Sequence, residues 1–170
     1  MVILFSKRNS CAEKEIIEIL KAHGGDCISD KEILDCGGAF TIVSEYKKAN
    51  LKINNGIVVI CDNTERFKDQ QFPNGIIGIC EDNNINALEV FKKSHIPVIS
   101  CGMSAKNTIT LSSLNSDTLL ATLQRTVKNI KGDEIEPAEF KIKLKKSYSH
   151  FSVMACVAIL LIKGIAPREF

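Results

Sequence analysis

Three short runs, "GIVVIC" (56–61), "GIIGIC" (75–80) and "PVISC" (97–101), are apolar at nearly every position. A strand with one face in water alternates apolar and polar residues. A run without alternation reads instead as a strand buried on both faces. The segments between them are polar or amphipathic. "NTERFKDQQFPN" can hold a short helix ended by Pro73, and "EDNNINALEVFKKSH" reads as a helix with Ile85, Leu88, Val90 and Phe91 as its apolar residues. Buried strands alternating with such connections dictate a mostly parallel, right-handed α/β sheet.

The opening "VILFSKRNSCAEKEIIEILKAHG" fits the same plan, with a strand over Val2 to Phe5 and a helix from Cys11 to Ala22. Ile16, Ile17 and Leu20 form its apolar stripe. Ser10 is placed as the N-cap, Glu13 three residues on completes a capping-box pattern, and Gly24 and Gly25 end the helix. Residues 26–55 are less decided. "CISDKEIL" reads as a short strand followed by a helical turn, and "AFTIVSEYK" as a strand. After residue 103 the texture changes. "NTITLSS", "LLATLQRTVK" and "AEFKIKLK" read as an antiparallel meander with a turn at Lys131-Gly132-Asp133, although the second would also suit a helix. A last helix spans Ser152 to Lys163, closed by Gly164. The chain thus reads as one domain of 170 residues: a Rossmann-like three-layer α/β part (1–103), a meander (104–147) and a C-terminal helix (148–170).

A net charge of +2 is too small to argue for nucleic acid or an anionic membrane. The run Lys141, Lys143, Lys145 and Lys146 reads as a solvated strand edge. "MVILFSKRNS" lacks the layout of a secretory signal, and the apolar run Phe151 to Ile162 is short for a bilayer span. A cytoplasmic protein is expected, with a small molecule or a protein as partner and room for a homo-oligomer. Seven cysteines, an odd number without a CxxC, argue against a disulfide framework.

Taken in order, these elements resemble the central, ATP-binding domain of the Mur ligases, which build the peptide of peptidoglycan. "SKRNSCAEK" stands where that family has G-T-N-G-K-T/S. "GIIGICEDNNINALEVFKKSHIPVISCG" resembles its strand, N-x-D-D, helix, strand and closing glycine, here Gly102. "SHFSVMACVAILLIKGI" resembles G-x-H-N-x-x-N-x-x-A-A and the helix that follows. The resemblance implies Mg-ATP as cofactor, but three departures weigh against ligation. The loop has neither the glycines that turn N–H groups onto phosphate nor the lysine and hydroxyl that meet phosphate and magnesium. His150 keeps the motif histidine, while Phe151 and Met154 replace the two asparagines that look toward adenine. The chain is also expected to leave no room for the family's flanking domains.

Several side chains can still form sites. Lys7, Arg8 and Ser10 at the first helix could hold an anion, or make a capped helix beside a basic loop. Asp62, Glu81 and Asp82 follow parallel strands, where the family holds magnesium and nucleotide. They serve equally as N-caps and turn residues. Gly102, Lys106 and Asn107 could meet a small polar or anionic ligand, and His150 could cap the last helix. Cys61, Cys80 and Cys101 end strands and Cys11 opens a helix, so four thiols could share one crevice as a metal or redox site, or merely fill buried positions. The expectation is a non-catalytic, Mur-ligase-like binding module. The alternatives are an ATP-binding enzyme with an altered loop and a thiol- or metal-dependent sensor.

Overall fold

The computed structural model describes every residue but 116, and the backbone alone at 113 and 114. The strands are β1 (Val2–Phe5), β2 (Gly25–Ile28), β3 (Ile33–Leu34), β4 (Phe40–Glu45), β5 (Gly56–Ile60), β6 (Ile76–Glu81), β7 (Val98–Cys101), β8 (Ile109–Asn115), β9 (Thr118–Leu123), β10 (Val127–Lys128), β11 (Glu134–Ile135) and β12 (Ala138–Lys143); the α-helices are α1 (Cys11–Ala22), α2 (Ile85–Lys93) and α3 (His150–Ile162). Among the described residues, ten strands form one sheet in the order β12-β9-β8-β7-β6-β5-β1-β4-β2-β3. From β2 to β8 the neighbours run parallel; β3 on one edge and β9 and β12 on the other run antiparallel.

The period of two along each strand divides its apolar side chains between two cores. Val2, Leu4, Ile57, Val59 and Ile99 face α1 and α3. Ile3, Phe5, Val58, Ile60 and Cys80 face α2 and the 3-10 turn Glu65–Phe67. Phe5 touches Phe67 and Phe72 edge to face, with ring centroids 5.1 and 5.7 Å apart. Gly78 in β6 lies where Phe91 crosses the sheet; a Cβ there would come 2.9 Å from that ring, so glycine is required. Helix α3 is buried at every residue from Phe151 to Ile162, as an all-round apolar helix must be. Burying each of its Ile and Leu side chains stabilises the fold by about 1.5–3 kcal/mol. Val127, Ile130 and Ile135 of the β10–β11 hairpin pack against the same core.

The three-layer α/β architecture is as expected, and so are the bounds of β1 and α1. Four local expectations need correction. "CISDKEIL" forms β2 and β3, an antiparallel pair with Cys27 opposite Leu34, rather than a strand and a helical turn. The meander is β8, β9 and β12, but "LLATLQRTVK" is not one strand. It leaves the sheet after Leu123, and Val127–Lys128 pairs with Glu134–Ile135 in a separate hairpin around Lys131-Gly132-Asp133. The last helix begins at His150, two residues early, because Ser149 caps it by accepting from the Ser152 N–H. Glu13 does not complete a capping box: the Ser10 N–H donates to Lys7 O, and the Glu13 side chain turns inward.

Candidate functional site

All the parallel strands end on one edge, and the loops after β1, β5, β6 and β7 carry most of the candidate residues there. The loop after β1 makes its turn without glycine. Asn9 supplies a left-handed residue, φ +63°, a conformation that asparagine tolerates better than most side chains. Ser10 then accepts the Glu13 N–H at 3.3 Å and starts α1. The Lys7 N–H, one of the backbone donors facing this edge, is already engaged. It donates to Asp62 Oδ2 at 3.0 Å, and Lys7 Nζ lies 3.6 Å from Asp62 Oδ1. Arg8 is exposed beside Tyr46, Lys47, Lys48 and Arg66.

A second group forms after β6 and β7. Asn107 Nδ2 donates to Asp82 Oδ2 at 2.7 Å, and the Asp82 N–H donates to Cys101 O at 2.9 Å. Gly102 sits against this pair; a Cβ would come 2.4 Å from Asp82 Oδ2 and 2.5 Å from Asn107 Nδ2. Glu81 is half-buried and Lys106 exposed. Neither acid caps α2, which Asn84 does by accepting the Ala87 N–H at 3.0 Å.

His150 is the exposed first residue of α3 and not its cap. The start of α3 nevertheless meets the first turn of α1. Ser152 Oγ donates to Ala12 O at 3.4 Å, and Ser149 donates from both N–H and Oγ to Glu15 Oε2, at 3.1 and 2.6 Å. Burial alone would raise the Glu15 carboxyl. Its hydrogen bonds from Ser149 and Ser152 and the Lys146 charge outweigh that and hold it below the ordinary value. A carboxylate thus occupies the positive end of α3.

The four thiols do not share a crevice. Cys61 and Cys101 face α3, Cys80 faces the opposite core, and Cys11 is exposed. Glu81 of β6 pairs with Cys101, and β6 lies between β5 and β7, which separates Cys61 from Cys101 by two strand spacings, roughly 10 Å. Burial pushes the Cys61 and Cys101 thiols well up, and that of Cys80 up to about 12. Among the described residues no group of three or more His, Cys, Asp or Glu is placed to hold a metal ion.

Sequence reasoning missed a polar cluster beneath the first loop. Glu13, 3% exposed, accepts a hydrogen bond from Ser44 Oγ of β4. Desolvation raises its carboxyl, against the opposing effect of the Ser6 and Tyr46 hydroxyls. The Ser6 hydroxyl lies close by, buried and without a well-directed hydrogen bond among the described residues. The signal was present, since Glu13 precedes Ile16 and Leu20 on the buried stripe at helical spacing.

These residues do not fit Mg-ATP in the way the family resemblance implies. A carboxylate holds the Lys7 N–H, a buried acid lies under the loop, and no loop glycine opens room for phosphate. Asp82 is committed to Asn107 and Asp62 to Lys7. No chemical step through a nucleotide follows from this arrangement.

No family model matches the chain, and no curated protein matches it in sequence. Solved structures do match in fold. A MurF from Acinetobacter baumannii matches with TM-score 0.60 at 10% identity over 97% of this chain and 42% of that one. A UDP-N-acetylmuramoylalanyl-D-glutamyl-2,6-diaminopimelate–D-alanyl-D-alanyl ligase from the same organism gives 0.58 at 11% identity, over 97% and 43%. A UDP-N-acetylmuramate:L-alanyl-gamma-D-glutamyl-meso-diaminopimelate ligase from Neisseria meningitides gives 0.58 at 10%, over 98% and 63%. The chain therefore spans about two fifths of the first two proteins and under two thirds of the third. It shares the fold of a Mur ligase domain. Among the described residues, no helix is long and apolar enough to cross a membrane.

Proposed function

We propose that this chain is a Mur-ligase-like domain working in the cytoplasm as a binding module, for a small ligand or a protein partner, and not as an ATP-dependent ligase. The observation that carries this reading is the Asp62 carboxylate on the Lys7 N–H. A phosphate loop works by keeping such donors free for the ligand. Here a side chain of the same negative charge already accepts the bond. The Asp82–Asn107 hydrogen bond supports the same reading, because it ties together two groups that would otherwise be available to a ligand.

The test is calorimetric titration of the reduced protein with Mg-ATP. No binding at millimolar nucleotide is expected. Binding tighter than about 100 μM, some 5.5 kcal/mol, would overturn the reading. A second reading, an ATP-binding enzyme with an altered loop, draws on Asn9 reproducing a left-handed turn and on the starts of α1 and α3 lying together. It requires Mg-ATP affinity that weakens in Lys7→Ala and Arg8→Ala.

A further inference from the structure

A cavity of about 330 Å³ lies away from the loops after β6 and β7, between α1, the end of β2 and the segment leading to β3. Its position follows from the topology. β2 and β3 extend the sheet past β4, while α1 lies over the sheet with Ile16, Ile19 and Leu20 in the core. The flank of α1 bearing Glu13, Lys14 and Ile17 therefore overhangs the extension. Ile17, Cys27 and the Tyr46 ring give it apolar wall.

The charges on its lining differ in their commitments. Lys21 Nζ is 2.9 Å from Glu32 Oε1, and Glu18 receives Lys146 at 2.7 Å and the Tyr148 hydroxyl at 3.2 Å. Lys14 and Lys31 pair with no carboxylate among the described residues, and Lys31 Nζ makes only a long contact, 3.5 Å, to Asn9 Oδ1. The uncommitted charge at the rim is therefore positive. Glu13 is the most deeply buried ionisable carboxyl on the lining, with the poorly bonded Ser6 hydroxyl beside it.

We infer that this cavity is a binding site for a small amphiphilic anion. Its acidic group would lie at Lys14 and Lys31, its apolar body against Ile17 and Tyr46, and a hydroxyl or amide donor at its far end would meet Glu13. The inference rests on the binding-module reading and supplies it with a ligand class. Cationic rim, apolar wall and buried acceptor select together, since a ligand lacking any one of the three complements leaves a polar group unpaired or an apolar wall wet.

The experiment titrates the wild-type chain with three probes by calorimetry. They are 4-hydroxyphenylacetate, phenylacetate, which lacks the donor, and 2-(4-hydroxyphenyl)ethanol, which lacks the anion. Saturable binding of the first is expected with Kd of about 1 mM or below, within reach of so small a ligand. Each of the others should bind about fivefold to tenfold more weakly. Lys14→Ala/Lys31→Ala, which changes two exposed side chains, should abolish the preference for the anion. Ile17→Trp should block all three probes. The inference is overturned by no saturable binding at 10 mM, by an anion preference that survives the lysine changes, or by binding undiminished in a folded Ile17→Trp. Mg-ATP titration is the separate arm. Tight nucleotide binding sinks the binding-module reading whatever the probes do, whereas absence of both nucleotide and probe binding sinks the cavity site alone.

Discussion

Replacing Asp62 by alanine should loosen the first loop by an amount the structure sets. The lost bond runs from the Lys7 N–H to a carboxylate oxygen at 3.0 Å, and the Asp62 side chain is only 14% exposed. Hydrogen bonds to charged groups contribute about 1.5–3 kcal/mol. The accompanying Lys7 Nζ contact is 3.6 Å long with the lysine 65% exposed, so solvent screens it to a few tenths of that at most. A loss of about 2 kcal/mol is expected for Asp62→Ala, equivalent to roughly 4–8 °C in Tm for a domain of this size. Asp62→Asn keeps an acceptor and gives up the charge, so about half that loss is expected. Urea unfolding of the three proteins measures both, with unchanged m-values showing that the unfolded states match. Asp62→Ala should also gain weak affinity for inorganic phosphate, because it frees an N–H and removes a negative charge. An alanine variant within about 0.5 kcal/mol of wild type, still without phosphate binding, would refute the claim that Asp62 holds this loop closed.

Glu13 sets a pH dependence. Its carboxyl is raised in the folded state, so its contribution is fully present below the unfolded pKa and is lost as pH rises through the folded value. Urea midpoints measured upward from pH 4 should therefore fall less steeply in Glu13→Gln than in wild type; parallel curves would exclude the buried acid as their cause. Gly102→Ala should destabilise by about 1–3 kcal/mol, as overpacking does, because its Cβ would press on Asp82 and Asn107. Adding Asp82→Ala should recover part of that loss, and strictly additive effects would place the strain elsewhere. In native protein, iodoacetamide should label Cys11 and Cys36, both exposed, ahead of Cys27, Cys80, Cys101 and Cys156. Early mass-spectrometric labelling of the buried set would contradict their packing.

Several features are local enough to be legible in the sequence. β1 and α1 fall where the apolar runs, Ser10 and Gly24 place them, because strand burial, helix period and capping act within a few residues. β5, β6 and β7 announce themselves by apolar runs that only a doubly covered sheet can bury. Within residues 26–55 β4 was legible as the strand in "AFTIVSEYK", but the β2–β3 pair was not. β2 and β3 have four and two residues, and what holds them is distant: β2 lies along β4, and Asp26 accepts from the N–H groups of Cys36 and Gly38 at 2.9 and 2.7 Å.

The candidate site divides along the same line. The presence of Asp62, Asp82 and Gly102 at strand ends follows from the run pattern. Their commitments do not: Asp62 meets Lys7 across 55 residues, Asn107 meets Asp82 across 25, and Ser44 meets Glu13 across 31. By itself the sequence determined an α/β sheet with a capped helix after its first strand and a loop lacking phosphate-loop glycines. Strand order was decided by the tertiary structure alone, and with it the two-strand separation of Cys61 from Cys101, the engagement of the Lys7 N–H and the cavity beside α1. The reason is physical. Periodicity and capping are encoded between near neighbours, whereas side chains far apart in the chain meet only after the strands between them have paired.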